Sequence, residues 1–220
     1  MAAKRTPVSL NSRRVEILRA AAQIFRDRGF DATSVSDIAR ALRMTKAGLY
    51  HYFTGKEALL AEIMMFGLER VHEEVLLPVR GIPDPEERLR QLIIRHASIV
   101  TRGHGAVTII SEETRALPPG PRRKIQHRMR VYIDLIRETL GELAEEGKLR
   151  DVDVTVATYS LIGMILWLPR WFRMGGRLTE KEVANEIAGI AFGGLLRSAP
   201  ASSRLPAEKP RRAQSRDDDR

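Results

Sequence analysis

The stretch Thr33-Ser34-Val35-Ser36-Asp37-Ile38-Ala39-Arg40-Ala41-Leu42-Arg43-Met44-Thr45-Lys46-Ala47-Gly48-Leu49-Tyr50-His51-Tyr52-Phe53 decides how the chain is read. Ser34, with Asp37 three residues on, is an N-cap with an acidic first turn, and Val35, Ile38, Ala39 and Leu42 then repeat at helical spacing. Thr45 is a second N-cap, opening a short helix through Leu49, Tyr50 and Phe53, and Arg43-Met44 forms the turn between the two. Upstream, Val15, Leu18, Ala22 and Phe25 keep the period of a longer first helix that Gly29 stops. Two short helices across a turn, backed by a longer one, make a helix-turn-helix arrangement. The second short helix is too brief to persist alone, so Leu49 and Phe53 must hold it against its neighbours. Its other face presents Lys46, Ala47, Gly48 and His51, with Tyr50 and Tyr52 at the flanks. Small residues let a helix approach base edges closely, and Lys46 suits guanine O6 and N7. Tyrosine hydroxyls and helix N-termini suit phosphate oxygens, and Lys56 adds charge where the next helix begins. Taken singly, Tyr50 serves equally well as partial core, and Tyr52 as surface cover.

Charge is distributed in the same sense. Residues 1–56 carry net +7, residues 197–220 carry +3, and the intervening body carries −1, within a total of +9 over 220 residues. A localised basic module fits a polyanion, because each neutralised phosphate releases condensed counterions. On charge alone an anionic membrane surface fits equally. There is no cysteine, which excludes disulfides, thiolate zinc sites and a cysteine nucleophile. No apolar run reaches the roughly 18 residues of a spanning helix, and Met1-Ala2-Ala3-Lys4-Arg5 lacks the apolar stretch of a signal peptide. These features predict a soluble, cytoplasmic protein with no membrane partner.

Helical periodicity continues to the C-terminal tail. Thr54-Gly55-Lys56-Glu57 has capping-box spacing and opens a long helix to about Leu77, where Pro78 and Gly81 break it. Further helices are expected over 84–103, 106–116, 122–146, 152–174 and 179–196, the last opened by a Thr179-x-x-Glu182 capping box. Val152–Val156 is β-branched enough for a short strand, but with no partner strand visible helix is preferred. The expected fold is all-α with about nine helices. Its parts are a basic flexible arm at 1–12, a three-helix helix-turn-helix domain at 13–56, a larger near-neutral helical domain at 57–197, and a disordered tail at 198–220. The tail's basic residues, Arg212 among them, fit a solvated segment better than a DNA contact.

Within the body the helix at 152–174 is apolar almost all round, and Pro169 is expected to bend it between Trp167 and Trp171. Such a helix belongs either between a ligand cavity and a dimer interface or in a plain core. Ala184, Ala188, Gly189 and Gly193 give the last helix a small side, which suits close packing in a four-helix dimer interface or an ordinary contact. Catalytic signatures are missing. Gly-x-Ser-x-Gly, His-Glu-x-x-His, Gly-x-Gly-x-x-Gly and the P-loop do not occur, and the five histidines lack metal spacing. Glu112-Glu113 are adjacent helical positions, which point apart rather than forming a catalytic pair. No catalytic residue, metal or cofactor is therefore assigned. The alternatives to a ligand-responsive regulator are an inducer-free DNA-binding module and, last, an enzyme.

Ile17-Leu18-Arg19-Ala20-Ala21, Phe25-Arg26-Asp27-Arg28-Gly29-Phe30-Asp31-Ala32-Thr33-Ser34-Val35, Asp37-Ile38-Ala39 and Leu49-Tyr50-His51-Tyr52-Phe53-x-x-Lys56-Glu57-x-Leu59-Leu60 resemble the TetR family of bacterial regulators. The resemblance implies an all-helical homodimer that represses transcription at double-stranded operator DNA until a small effector binds. By position, Thr33, Ser34, Tyr50, Tyr52 and Lys56 match the family's phosphate contacts, while Lys46, Ala47, Gly48 and His51, beside the cap Thr45, match positions that face bases. Two residues depart from the pattern: Arg43 stands where the family usually has Gly, and Gly48 where it often has Thr. A non-glycine residue at positive φ in that turn costs of order 1 kcal/mol.

A second, shorter resemblance covers Trp167-x-x-x-Trp171-Phe172-x-x-Gly175-Gly176-x-Leu178-Thr179-x-x-Glu182-Val183-Ala184, which is similar to TetR-family regulators of lipid and sterol-ring breakdown that respond to acyl-CoA thioesters. It implies an apolar tunnel with basic residues for CoA phosphates. The wall candidates are Met64, Phe66, Ile109, Tyr159, Met164, Trp167 and Trp171, and the charge partners Arg95, Arg102 and Arg170.

Overall fold

The computed structural model describes residues 10–197 except 103 and 104. The tail at 198–220 and most of the N-terminal arm fall outside the described residues. Within them α1 (Leu10–Arg28) begins inside the stretch expected as arm, whose last three residues, 10–12, are helical. Gly29 at φ +82° ends it, Phe30 packs on Phe25 with ring centroids 5.2 Å apart, and the chain turns into α2 (Val35–Ala41). Ser34 caps α2 in a reciprocal capping box with Asp37. The α2 helix ends in a Schellman arrangement: the Met44 N–H bonds Ala39 O and the Arg43 N–H bonds Arg40 O. Arg43 occupies the left-handed position of that motif at φ 54°, where the resembled family usually has Gly. Thr45 then caps α3 (Lys46–Tyr50) by accepting from the Gly48 N–H at 3.0 Å.

The next segment departs from expectation at both ends. Its first helix, α4 (Lys56–Val71), has Gly55 as N-cap and no side-chain cap, so Glu57 is the second helical residue, too early to close the capping box. Nor does Pro78 end the rod. The chain passes through one π-helical turn (His72–Leu76) into α5 (Leu77–Arg80). A wider turn just before Pro78 accommodates the missing N–H and the ring's clash with the carbonyl four residues back. After Gly81 come α6 (Pro85–Thr101), capped by Asp84, and α7 (Gly105–Glu113), which tightens into a 3-10 turn (Thr114–Ala116).

The α8 helix (Pro119–Glu145) starts inside the proline cluster that was expected to lie outside it. Proline is tolerated there because first-turn N–H groups have no intrahelical partner. The α9 helix (Val154–Trp171) is capped by Asp153, so the β-branched run at 152–156 enters a helix. Pro169 falls in its last turn, and the helix stops at Trp171 rather than Met174. The reciprocal Thr179–Glu182 box opens α10 (Glu180–Leu195). Counting α4, the π turn and α5 as one rod gives nine helical rods among the described residues, with no strand, only a Leu149–Leu196 bridge tying the ends of α8 and α10. None of these helices is long and apolar enough to cross a membrane.

Packing divides the molecule into two cores. The N-terminal core joins Ile17, Phe25, Ile38 and Leu49 to Leu60 and Ile63 of α4, and to Ala106, Ile109 and Ile110 of α7. The larger core gathers Val71 and Val75 with the buried faces of α6, α8, α9 and α10. The three N-terminal helices therefore do not close their own core; α4 as far as Leu68, and Ala106, Ile109 and Ile110 of α7, complete it. Gly67 allows this, because a Cβ there would lie 2.8 Å from the Ala106 carbonyl oxygen.

Candidate nucleic-acid interface and interior cavity

The α3 helix is pinned from one side only. Leu49 and Phe53 are buried, while Lys46, Ala47, Tyr50 and His51 are exposed and Gly48 is half-buried beside them. A Cβ on Gly48 would crowd the Thr45 hydroxyl at 3.1 Å, so the residue that departs from the family's Thr gives the cap room. Lys46 Nζ lies 5.9 Å from the Tyr50 ring centroid, and the His51 and Tyr52 rings meet edge to face. Ser34 is exposed at the start of α2, where its hydroxyl and backbone N–H both bond Asp37 and hold that carboxyl below its usual range. A solvent-facing group of helix starts and small or basic side chains results.

Two candidate DNA contacts are turned to other work. Thr33 is 2% exposed, and its hydroxyl donates to Gly29 O at 2.8 Å, closing the corner after α1. Lys56 donates to Phe30 O at 2.9 Å with its ammonium 4.1 Å from the Phe30 ring centroid. Tyr52 is half-buried against the N-terminal core. Arg14 braces the module from behind: it bonds Glu62 of α4 through two nitrogens and the Tyr52 carbonyl at 3.1 Å.

Under this module lies an apolar cavity of about 260 Å³. Leu68 and Val71 of α4, Val107 and Ile110 of α7, and Ile162 and Leu166 of α9 form much of its wall. Two buried polar side chains join them, His96 of α6 and Tyr132 of α8, with Nδ1 and Oη 2.5 Å apart. Burial lowers the His96 pKa to about 4 and pushes the Tyr132 hydroxyl far above its ordinary value, so both are neutral near pH 7. A second cavity of about 220 Å³ shares Leu68, Val71 and Tyr132 with the first and adds His72, His127 and the Arg128–Glu69 ion pair at 2.7 Å.

Of the ten candidate effector contacts, Tyr159 is the one at the first cavity, half-exposed at its edge. Met64 and Ile109 are fully buried in the N-terminal core, Phe66 packs against it, and Met164 packs on the larger core. Trp167 is 59% exposed, and Trp171 stands on the solvent side with it. Arg170 lies over the Trp167 ring, Arg102 pairs with Glu74 and Glu180, and Arg95 is half-buried on α6. The apolar character of α9 concealed which of its faces meets the cavity. Sequence reasoning passed over His96 and Tyr132, although each is a polar side chain at helical spacing from buried apolar residues of α6 and α8.

One geometric relation joins the two sites. Ile110 and Leu68 line the cavity and also belong to the N-terminal core. The same two helices therefore wall the cavity and support the exposed α3 face.

Comparison with known proteins agrees with this arrangement. A family model described as bacterial regulatory proteins, tetR family, matches residues 17–63, and one described as tetracyclin repressor-like, C-terminal domain, matches residues 83–195. The chain is 33% identical over 189 residues to the HTH-type transcriptional repressor KstR2 of Mycobacterium tuberculosis, an alignment covering 84% of this chain and 94% of that protein. The solved structure of AibR in complex with isovaleryl coenzyme A and operator DNA is similar at TM-score 0.76 and 40% identity, over 83% of this chain and 99% of that one. The structure of the ketosteroid regulator KstR2 of Mycobacterium tuberculosis matches at TM-score 0.78 and 31% identity, over 88% and 100%.

Proposed function

The chain belongs to the TetR family of DNA-binding transcriptional regulators, and from that premise we propose that it is a homodimeric repressor released from its operator when a short acyl-CoA thioester fills the interior cavity. The observation that carries this reading is the double membership of Ile110 and Leu68 in cavity wall and N-terminal core. An occupant that displaces either side chain works directly on the support of α3. It shifts DNA affinity by the difference between its affinities for the two states.

Cavity size and lining support the effector class. An apolar cavity of about 150 Å³ holds a benzene ring, so about 260 Å³ suits a short or branched acyl chain. The second cavity, with Arg128 and His127, offers the polar end of a thioester a place beside it. Similarity to AibR, whose structure contains isovaleryl coenzyme A and operator DNA, points the same way. On the DNA side, Lys46, Ala47, Gly48 and His51 face the bases, while Ser34, Thr45, Tyr50 and Tyr52 meet phosphates. Thr33 and Lys56 act by fixing the Phe30 corner that positions them. The exposed apolar residues of α9 and α10, Val156, Trp167, Trp171 and Ile190, form the dimer seam that sets two α3 helices one DNA turn, about 34 Å, apart. Regulation takes place in the bacterial cytoplasm, where the operator is.

The test is binding of the purified protein to DNA from its own upstream region, titrated with isovaleryl-CoA and with octanoyl-CoA. Release at micromolar thioester is expected. Operator binding that neither thioester disturbs contradicts the effector assignment and leaves the DNA-binding one standing.

A further inference from the structure

The cavity contains a polar device that the apolar-pocket reading does not use. Three of its lining side chains carry nitrogen or oxygen: His96, Tyr132 and Tyr159. Tyr159 is half-exposed at the edge, whereas His96 is 4% exposed and Tyr132 7%. No charged side chain lines this cavity among the described residues.

The state of the pair follows from counting protons. Burial keeps the imidazole neutral and the phenol protonated, so a single hydrogen joins Oη and Nδ1. If Nδ1–H were the donor, the Tyr132 proton would need another acceptor, and among the described residues Oη has none. Leaving a buried hydroxyl without an acceptor is costly. Tyr132 therefore donates to Nδ1, and the imidazole proton lies on Nε2. Nε2 makes no hydrogen bond among the described residues, and the His96 side chain lines the cavity.

We propose that the His96 Nε2–H, oriented by Tyr132, is the specificity-determining donor of the cavity and reads one neutral carbonyl oxygen of the effector: a ketone, ester or thioester in preference to a hydrocarbon or a free acid. A carboxylate entering the same space would lose its hydration and meet no counter-ion, whereas a carbonyl needs one donor and brings no charge. Tyr132 also borders the second, more polar cavity. A thioester carbonyl held beside it would thus lie where an apolar chain gives way to a polar one. The inference rests on the proposed function in taking this cavity to be the effector site, and it adds what the site discriminates.

The experiment uses the full-length protein and three probes of one chain length: 2-octanone, 1-octene and octanoate. Dissociation constants are measured for the wild type, His96→Phe and His96→Gln, and the histidine ring nitrogens are followed by NMR on 15N-labelled wild-type protein. Wild type is expected to prefer 2-octanone over 1-octene by about fivefold, the worth of one neutral hydrogen bond, and to bind octanoate weakest. His96→Phe should lose that preference while keeping its affinity for 1-octene, and His96→Gln, which retains an N–H donor, should restore part of it. The Nε2–H signal of His96 should move with 2-octanone and stay put with 1-octene. Equal binding of ketone and alkene by wild type, a ketone preference that survives His96→Phe, or a spectrum with the proton on Nδ1 overturns the proposal. The wild-type spectrum decides even where a variant fails to fold. Binding of none of the probes overturns it together with the effector site. Selective ketone binding that leaves operator affinity unchanged supports the donor and removes only the regulatory reading.

Discussion

Arg43 shows how a single residue can be legible in advance. The family resemblance puts a glycine at this turn, which implies a left-handed residue, and Arg43 adopts φ 54° with both Schellman hydrogen bonds made. An L-residue there stores roughly 1 kcal/mol that glycine would not. Arg43→Gly is therefore expected to raise stability by about 0.5–1 kcal/mol, seen as a higher urea midpoint at unchanged m value. His96 makes the opposite kind of statement. Its folded pKa, about 4, lies below the unfolded 6.5 because burial disfavours the imidazolium. Below pH 6.5 the unfolded chain binds the extra proton first. Stability is thus full above pH 6.5 and falls as pH drops towards 4, by a total on the order of 3 kcal/mol from this group. Urea midpoints between pH 7 and 4 in wild type and His96→Phe would measure it. The variant should show the shallower slope, and equal slopes would refute the assignment.

At the scale of elements, the α4–α7 contact matters most. Gly67 lets the two helices approach backbone to backbone, and a methyl group there would press on the Ala106 carbonyl. Gly67→Ala should cost about 1–3 kcal/mol in stability, as overpacking does, and weaken operator binding, since α7 also carries Ala106 and Ile109 into the N-terminal core. An operator affinity equal to wild type would show that this contact is not part of the coupling. Most helices were readable because their signals are local: Ser34, Thr45 and Thr179 cap where the spacing says they should. The errors were local too. Gly55 displaced the α4 cap by one residue, Pro78 was absorbed by a π turn, and prolines 119 and 121 sat harmlessly in a first turn. Local pattern does not record which chain groups already lack a partner.

The whole molecule is where sequence said least about the cavity. Periodicity identifies a helix's apolar side but not what lies opposite it: Met64 and Ile109 fill a core, Trp167 faces outward, and none of the three lines the cavity. The exposed face of α3 is easier to locate, because a short helix pinned through Leu49 and Phe53 leaves its other side to solvent. The outward faces of α9 and α10 carry Val156, Trp167, Trp171 and, at 61% exposure, Ile190, which is a large apolar surface to leave in water. If it is the dimer seam, Trp167→Glu should give a folded monomer by sedimentation and lose most operator affinity, because two half-sites can no longer be engaged together. A dimer that survives this substitution would place the seam elsewhere.

In the proposed mechanism, occupancy of the cavity, rather than any particular occupant, weakens the hold on DNA. Val107 lines the cavity from α7, the helix that also supports the DNA-binding face. Val107→Phe puts a ring into that space without any effector. Operator affinity of this variant, measured by fluorescence anisotropy in the absence of ligand and with circular dichroism to confirm the fold, tests the claim directly. Affinity at least about tenfold weaker than wild type is expected, a coupling free energy of about 1.4 kcal/mol. Wild-type affinity in a folded variant whose cavity is filled would contradict it.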